Sequence, residues 1–445
     1  MLARGSPAPI GDCHQTAQLR HSFPLMALSS DTGLTQRIRD LLTRQPAGHC
    51  LLREFYSDDQ LYQLDCQRVW RTGWLFAGHS CEIPNSGDYF TVEVDTDSII
   101  VTRDQKGQAR ALHNVCRHRG SMICDTPHGQ VKRLVCPYHR WTYDLDGKLL
   151  HAPGMQETLD KTELGLRPVQ IRETAGLIFI SLGSRPPEFE PAHALLGELA
   201  KPQGLGNAKV AKAVDYLVKA NWKLVWENNR ECFHCNANHP QYIKANFDHY
   251  NADDTTPRIR EQMAAAISRS EAKWAASGLV VSHKQTGMTT FPDAERNIWY
   301  SANRTALVDG FVSESMDGAQ VAPLMGDYPD NDVGTLRMRT LPNFWNHSSC
   351  DHAVSTRLLP KGLQLTAIRV WWLVDEAAVE GRDYDLAKLM PFWQLTSEQD
   401  WEICERQQRG VNSHAYVPGP YSTFKEYNVD AFVRWYLRQL QHEPS

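Results

Sequence analysis

Several features are scarce or missing in this sequence of 445 residues. No stretch approaches the roughly 18 consecutive apolar residues that a membrane-spanning helix needs, so we expect no membrane segment. Basic residues are not in excess, since 47 lysines and arginines face 52 aspartates and glutamates, a formal net charge of −5. A nucleic acid is therefore not an expected partner. There is no internal repeat, and no glycine-rich phosphate loop follows a strand, which disfavours a bound flavin or nicotinamide.

Cysteine is present, but its arrangement does not suggest a disulfide framework. The eleven cysteines are an odd number spread over the whole chain, without a hydrophobic leader. This usage predicts a reducing, cytoplasmic environment. In that environment, cysteines spaced closely with histidines are more often metal ligands than disulfide partners.

The pattern of apolar residues divides the chain into four parts. Residues 1–45 are rich in Ser, Pro, Ala and Gly without sustained periodicity, so we expect a disordered extension. Residues 46–73 contain helical spacing over 57–71 and predict a helical lead-in packed on the last domain. Short β-prone runs between turns predict an all-β domain over 74–185. Residues 186–445 combine strands with helices, so the chain as a whole is predicted to be α+β.

The individual elements follow from the same periodicities. In the β domain the predicted strands are 89–94, 98–103, 109–115, 131–135, 169–173 and 176–182. In the last domain the predicted strands are 337–341, 352–359 and 364–374, and the predicted helices are 221–236, 384–408 and 427–440.

Two short motifs in the β domain each combine one cysteine with one histidine. Cys116-x-His118 is followed, after 17 intervening residues, by Cys136-x-x-His139. The four residues offer two thiolates and two imidazoles from loops between strands. Zinc sites usually pair Cys with Cys and His with His across a helix. The mixed loops therefore favour a Rieske [2Fe-2S] cluster over a Cys₂His₂ zinc site.

A second group of candidate ligands lies at the end of the helix predicted over 221–236. Glu231 and His234 are three residues apart and share a helix face. His239 lies about 140° further round, so the helix must end or bulge between the two histidines. The neighbouring Cys232 and Cys235 leave a zinc site open as an alternative.

Two histidines and a carboxylate with open coordination positions would bind non-haem Fe(II). The carboxylate must come from elsewhere in the chain. In the helix that contains residues 392–408, Asp400 lies within about 40° of Trp393 and Cys404, on the predicted buried face. Three glutamates of that helix project roughly 140° to 160° away, namely Glu398, Glu402 and Glu405. Asp400 is thus the acid expected to face the core.

With both sites in hand, the chain from about residue 52 to residue 440 resembles the oxygenase subunits of Rieske non-haem iron oxygenases. The segments 114–120, 136–143 and 228–240 carry the resemblance. It implies an N-terminal all-β Rieske domain, followed by a catalytic domain whose antiparallel sheet and helices hold a mononuclear iron. The implied cluster ligands are Cys116, His118, Cys136 and His139, and the implied iron ligands are His234, His239 and Asp400. Glu231 would be the electron-transfer bridge between the cluster of one subunit and the iron of its neighbour in a homotrimer.

The bridging residue also suggests the substrate. Ring-hydroxylating dioxygenases usually have aspartate there, and a glutamate at 231 resembles the branch that oxidises quaternary ammonium compounds. The resemblance implies N-demethylation with O₂ and with electrons from NAD(P)H, passed on by a separate flavin/iron-sulfur reductase. Glycine betaine, giving dimethylglycine and formaldehyde, is the expected substrate. Carnitine, proline betaine and an aromatic ring are alternatives, and a Rieske electron carrier without catalysis is the remaining one.

Overall fold

The computed structural model describes residues 32–246, 256–280 and 291–441. The chain divides into two compact units, Met1–Arg44 and Gln45–Ser445. In the first unit, the described residues form helix α1, Thr32–Arg44. The predicted disorder of residues 1–45 is wrong for this segment, because Ile38 and Leu41, one turn apart and both buried, give it an apolar helical face. The rest of that prediction, residues 1–31, lies outside the described residues.

The second unit begins with two short helices and a β domain. Helix α2 is Glu54–Ser57, and α3 is Asp59–Asp65 with a π-helical turn, Cys66–Trp70, directly after it. Ten strands follow: β1 (Leu75–His79), β2 (Asp88–Val94), β3 (Asp97–Arg103), β4 (Ala109–His113), β5 (His128–Gln130), β6 (Leu134–Val135), β7 (Thr142–Tyr143), β8 (Leu149–His151), β9 (Pro168–Thr174) and β10 (Leu177–Ser181).

The strands of the β domain form two antiparallel sheets. The larger has the order β1-β10-β9-β4-β3-β2-β5 and the smaller the order β6-β7-β8. The loops that contain Cys116 and Cys136 leave from β4 and β6, above a core that includes Leu112, Trp141 and Tyr143. The sheets therefore bring together two loops that are about 20 residues apart in sequence.

The last domain is a six-stranded antiparallel sheet with helices. Its strands are β11 (Ala208–Val218), β12 (Tyr300–Thr305), β13 (Thr335–Thr340), β14 (Phe344–Ser348), β15 (Ala353–Gly362) and β16 (Leu365–Asp375), in the order β11-β16-β15-β14-β13-β12. Its described helices are α4 (Glu190–Ala200), α5 (Trp222–Asn229), α6 (Cys235–Asn238), α7 (Pro240–Ala245), α8 (Pro257–Ala276), α9 (Leu386–Leu389), α10 (Pro391–Val411) and α11 (Tyr427–Gln439). Among the helices that the structure describes, none combines the length and the apolar character that crossing a bilayer requires.

The predicted fold class, a β domain followed by an α+β domain, is confirmed. Three strands of the last domain were not predicted: β11, β12 and β14. The long edge strand β11 alternates only weakly, because most of its residues are partly exposed, so periodicity does not reveal it. The helix predicted over 221–236 is shorter than expected, since α5 already ends at Asn229.

A buried ion pair joins three helices behind the segment that contains the two histidines. Asp65, at the end of α3, accepts hydrogen bonds from Lys223 Nζ, from Trp222 Nε1 at 3.0 Å and from the Tyr436 hydroxyl at 2.8 Å. Asp65 and Lys223 are fully buried. Burial of a charge is tolerated only when it is paired and hydrogen-bonded. The carboxylate therefore fixes α3 and α11 against α5.

Replacing this carboxylate is expected to destabilise the protein strongly. In Asp65→Asn, the Lys223 ammonium stays buried without a counter-charge, a change that costs about 3 to 5 kcal/mol. We expect the midpoint of thermal unfolding, followed by circular dichroism, to fall by at least about 5 °C. The control is Glu402→Gln, which breaks the exposed pair with Arg406 and should change the midpoint little. Equal midpoints for the two variants would contradict the role of Asp65.

Candidate metal centres

The two cysteine loops of the β domain have the same backbone conformation at their turns. In the first, the amide N–H of Gly120 donates to the carbonyl of Cys116 at 3.0 Å, and in the second, that of Arg140 donates to Cys136 at 3.0 Å. Both donors lie four residues after a cysteine and adopt left-handed backbone angles, with φ of +76° and +59°. Glycine adopts such angles without strain, whereas arginine rarely does. The fold thus imposes one turn geometry on two loops of different sequence.

The histidines of these loops lie next to each other. The ring centroids of His118 and His139 are 4.6 Å apart, and His118 stacks on Trp141 at 4.8 Å with an angle of 6° between the planes. In the part of the chain that the structure describes, the buried Nδ1 atom of His118 has no hydrogen-bond partner. An unpaired buried imidazole nitrogen beside two cysteines fits a cluster ligand, which would satisfy it.

The two thiols lie in different electrostatic surroundings. Burial raises the pKa of Cys116, although the hydroxyl of Tyr143 donates to its sulfur at 3.2 Å. Burial also opposes ionisation of Cys136, but hydrogen bonds from the backbone N–H groups of Tyr138 and His139 outweigh it, so the pKa of Cys136 is lowered. Hydrogen bonds to sulfur are among the factors that set the potential of an iron-sulfur cluster. This loop arrangement therefore offers candidate ligands together with hydrogen bonds that would tune the potential of a bound cluster.

The second group of candidate ligands follows the end of α5. His234 directly precedes α6, and His239 lies between α6 and α7 with φ of −125° and ψ of 66°. The short helix α6 spans the residues between the two histidines and ends at His239, so no continuous helix contains both, as the angular argument requires. One premise of the sequence analysis is wrong, however: Glu231 and His234 do not share a helix, because α5 ends before both. They are adjacent because a tight turn joins them.

A carboxylate from α10 meets both imidazoles. The Oδ1 atom of Asp400 lies 3.2 Å from His234 Nε2 and 2.9 Å from His239 Nε2. Burial raises the pKa of Asp400, but the hydrogen bonds from the two imidazoles outweigh it and the pKa is lowered. Ligand atoms at right angles on a metal with bonds of about 2.1 Å are roughly 3.0 Å apart. The observed separations therefore fit two histidines and one carboxylate on one face of a metal ion.

Three amide side chains that the sequence analysis did not identify surround this group. Gln399 Oε1 accepts a hydrogen bond from His239 Nδ1 at 2.8 Å, and Gln241 Nε2 donates to Gln399 Oε1 at 3.0 Å. Asn228 Nδ2 donates to Asp400 Oδ1 at 3.2 Å. With Nδ1 of His239 bonded to Gln399, the Nε2 atom faces Asp400, where a metal ion would bind both groups. No spacing or composition signal distinguishes these three amides from other glutamines and asparagines.

Glu231 orients the other imidazole. His234 Nδ1 donates to Glu231 Oε1 at 2.5 Å, and the backbone N–H of His234 donates to Glu231 Oε2 at 3.2 Å. Burial lowers the pKa of His234, but its bonds to Asp400 and Glu231 prevail and raise the pKa to about 10. As with His239, the Nδ1–H bond leaves Nε2 facing Asp400.

The two cysteines beside His234 form a disulfide. Cys232 and Cys235 are joined, and the Sγ atom of Cys235 lies 4.0 Å from His234 Nε2. The general expectation that cysteines near histidines are thiolate ligands is therefore wrong at this place, because a disulfide sulfur carries no thiolate. The zinc alternative loses its cysteine ligands in this oxidation state.

Comparisons with known families match one domain around each group of candidate ligands. Residues 73–170 match the Rieske [2Fe-2S] domain, and residues 205–442 match the ring hydroxylating alpha subunit (catalytic domain). The chain is a Rieske non-haem iron oxygenase. The predicted resemblance is thereby confirmed, as are the enzyme class and the cofactors: an oxidoreductase with a [2Fe-2S] cluster and a mononuclear iron, fed with electrons by a separate reductase, as is typical of the family.

Individual members of the family align with about nine-tenths of this oxygenase. It is 41% identical to the glycine betaine monooxygenase oxygenase subunit of Chromohalobacter salexigens, over 89% of this chain and 87% of the relative. Identity to the corresponding subunit of Pseudomonas aeruginosa is 40%, over 90% and 91% of the two chains. Among solved structures, a quaternary ammonium Rieske monooxygenase shares the fold with a TM-score of 0.66 at 18% identity, over 90% of this chain and 98% of that one.

The amide behind His239 is expected to support metal binding. Gln399→Leu removes the acceptor for Nδ1 of His239, and loss of such a partner lowers metal affinity by about 10- to 100-fold. We expect competition with an Fe(II) chelator to show this loss. Gln394→Leu is the matched control, because this glutamine of the same helix bonds only to Glu398 at 3.0 Å among the contacts described, on the exposed side. If the two variants retain iron equally, Gln399 has no such role.

Proposed function

We propose that this oxygenase N-demethylates glycine betaine. The supporting observation is the identity of 40 to 41% to glycine betaine monooxygenase oxygenase subunits over about nine-tenths of the chain. One glycine betaine, one O₂, two electrons and two protons give dimethylglycine, formaldehyde and water. The electrons come from NAD(P)H through a flavin/iron-sulfur reductase, which fits the cytoplasmic location that the cysteine content predicts.

The proposal assigns each metal group to specific residues. The mononuclear iron is bound by His234, His239 and Asp400, whose ligand atoms converge within 3.2 Å of one carboxylate oxygen. When bound, the iron supplies the activation of O₂. The [2Fe-2S] cluster is bound by the two cysteines and two histidines of the β-domain loops, Cys116, His118, Cys136 and His139. We also propose domain limits of 74–185 and 186–445, within which the two family matches fall almost entirely.

We further propose that Glu231 is an electron-transfer bridge in a head-to-tail homotrimer. One of its oxygens already accepts a hydrogen bond from His234, and the side chain remains 14% exposed at the surface. A second subunit could present a cluster histidine to the same carboxylate. The structure of the solved quaternary ammonium Rieske monooxygenase gave insights into inter-subunit electron transfer in that protein.

Exposed apolar side chains support this arrangement at both surfaces. Around the cluster loops, Met122 and Tyr138 are 46% and 55% exposed. Two residues after Glu231, Phe233 is 49% exposed. Its ring lies 4.6 Å from the ammonium of Lys425, whose neighbour in sequence, Phe424, is 50% exposed. Exposed apolar groups at two separate surfaces are typical of interaction sites. When one of these surfaces binds the other surface of the next subunit, rotational symmetry closes the subunits into a ring.

A single-turnover assay tests the reaction without knowledge of the reductase. The protein, loaded with both metals, is reduced chemically and then given O₂ with glycine betaine, carnitine, proline betaine or benzoate. We expect about one formaldehyde per active site with glycine betaine and much less with the others. His239→Ala, which should keep the cluster but lose the mononuclear iron, is the control and should release none. Formaldehyde from another amine only would reassign the substrate, and none from any amine would end the demethylase proposal.

The bridge is tested by Glu231→Gln. The amide is similar in shape but lacks the negative charge that orients the imidazole of His234, so we expect turnover to fall by about 10- to 100-fold. Iron content should remain at about three per chain, which shows that both centres are still loaded. Glu426→Gln changes a neighbouring carboxylate that accepts a hydrogen bond from Ser422 N at 2.7 Å and should retain turnover. Full turnover in Glu231→Gln would contradict the bridge.

A further inference from the structure

The disulfide between Cys232 and Cys235 is exceptional in this chain. The other eight cysteines that the structure describes form no disulfide. The two bonded residues are only three apart in sequence. The entropic stabilisation from a disulfide grows with the length of the loop that it closes, so this one stabilises the fold little. A structural role therefore does not explain why it is present.

Its position suggests a role at the metal site. The bonded pair encloses Phe233 and His234, and both cysteines are buried. The ligand atoms of His234, Cys235 and His239 all lie within 4.8 Å of one another. The Cys235 sulfur is 4.0 Å from His234 Nε2, close to the roughly 3.6 Å expected for a sulfur and a nitrogen bound to one zinc ion. Cys235 is therefore close enough to bind the same metal ion as the two histidines. The disulfide prevents its sulfur from acting as a thiolate ligand.

The two oxidation states offer different ligand sets. With the disulfide closed, the site presents two imidazoles and the Asp400 carboxylate, a set that suits Fe(II). With the disulfide open, Cys235 adds a thiolate, a soft ligand that favours zinc. We propose that Cys232 and Cys235 form a reversible redox pair that controls access of thiophilic metal ions to the iron site. The inference rests on the proposed histidine ligands, His234 and His239.

The oxidant is a peroxide. Hydrogen peroxide is the two-electron reduction product of O₂, the co-substrate of this enzyme class, and it would form beside these thiols if reduced oxygen left the site unused. Two thiols and one hydrogen peroxide give one disulfide and two waters: the S–S bond forms, the O–O bond breaks, and two electrons pass from sulfur to oxygen. An external dithiol reverses the reaction by exchange, becoming a disulfide itself.

The redox step is tested by differential alkylation and peptide mass mapping of the metal-loaded protein. The protein is reduced with a phosphine under argon, freed of reductant, and treated with one equivalent of hydrogen peroxide. The protein is then denatured and alkylated at once. We expect the peptide that contains Cys232 and Cys235 to be alkylated before peroxide and protected afterwards, whereas Cys350, which forms no disulfide, should be alkylated in both samples. If peroxide leaves both cysteines open to alkylation, the proposal is wrong.

The ligand step is tested by zinc, after iron is removed from the mononuclear site. X-ray absorption at the zinc edge should show one sulfur at about 2.3 Å in the reduced protein and none in the oxidised protein. Zinc affinity should be at least roughly tenfold higher in the reduced form. Cys232→Ser leaves Cys235 unable to form the disulfide and should show the sulfur without any reductant. Cys235→Ser should show none in either state.

The outcomes of the zinc experiment distinguish a failure of this inference from a failure of the proposed function. If His239→Ala binds zinc as tightly as the wild-type protein, the histidine ligands and with them the proposed iron site are wrong. If zinc binding depends on His239 but reduction adds no sulfur to the zinc shell, only the redox control is wrong.

Discussion

The contact between the Asp400 carboxylate and two imidazoles is the constraint on which the last domain depends. The carboxylate belongs to α10, whereas His234 and His239 lie more than 160 residues earlier in the chain. A largely buried carboxylate needs hydrogen-bond donors around it, and a metal ion would need all three groups on one side. Helix α10 must therefore pack against the 230–239 segment in one register. Gln241, which donates to Thr396 of α10 at 2.8 Å, holds the same register from the other side.

The surrounding structure makes this register rigid. Behind α5, the buried Asp65–Lys223 pair fixes the lead-in helix and α11. The break after α5 then turns the chain so that both histidines face α10, an orientation that a continuous helix could not provide. The β domain positions its candidate ligands in a different way. There, two short loops of equal backbone geometry contain Cys116 and Cys136, whose side chains are buried beneath exposed loop residues.

Parts of both sites could be predicted because the information is local in the sequence. The spacing within the two cysteine-histidine motifs already indicates paired loops and a mixed ligand set. The angle between His234 and His239 on a helix requires a break, which the structure has between α6 and α7. The helical wheel of α10 distinguishes Asp400 from its neighbouring glutamates, because only Asp400 shares a face with buried residues. Glu405, on another face, instead accepts a hydrogen bond from the backbone of Lys219 at 2.9 Å.

The sequence by itself thus determined the order of the domains, the candidate metal-binding motifs and the acid that lies beside the two histidines. The tertiary structure alone decided which amides support that group, since Gln399 and Asn228 reach it by contacts that no periodicity encodes. It also decided that Cys232 and Cys235 are joined, which their spacing permits but does not require. The physical reason is that helical and strand periods report only which face a residue occupies. Which atoms meet across two faces depends on how distant segments pack.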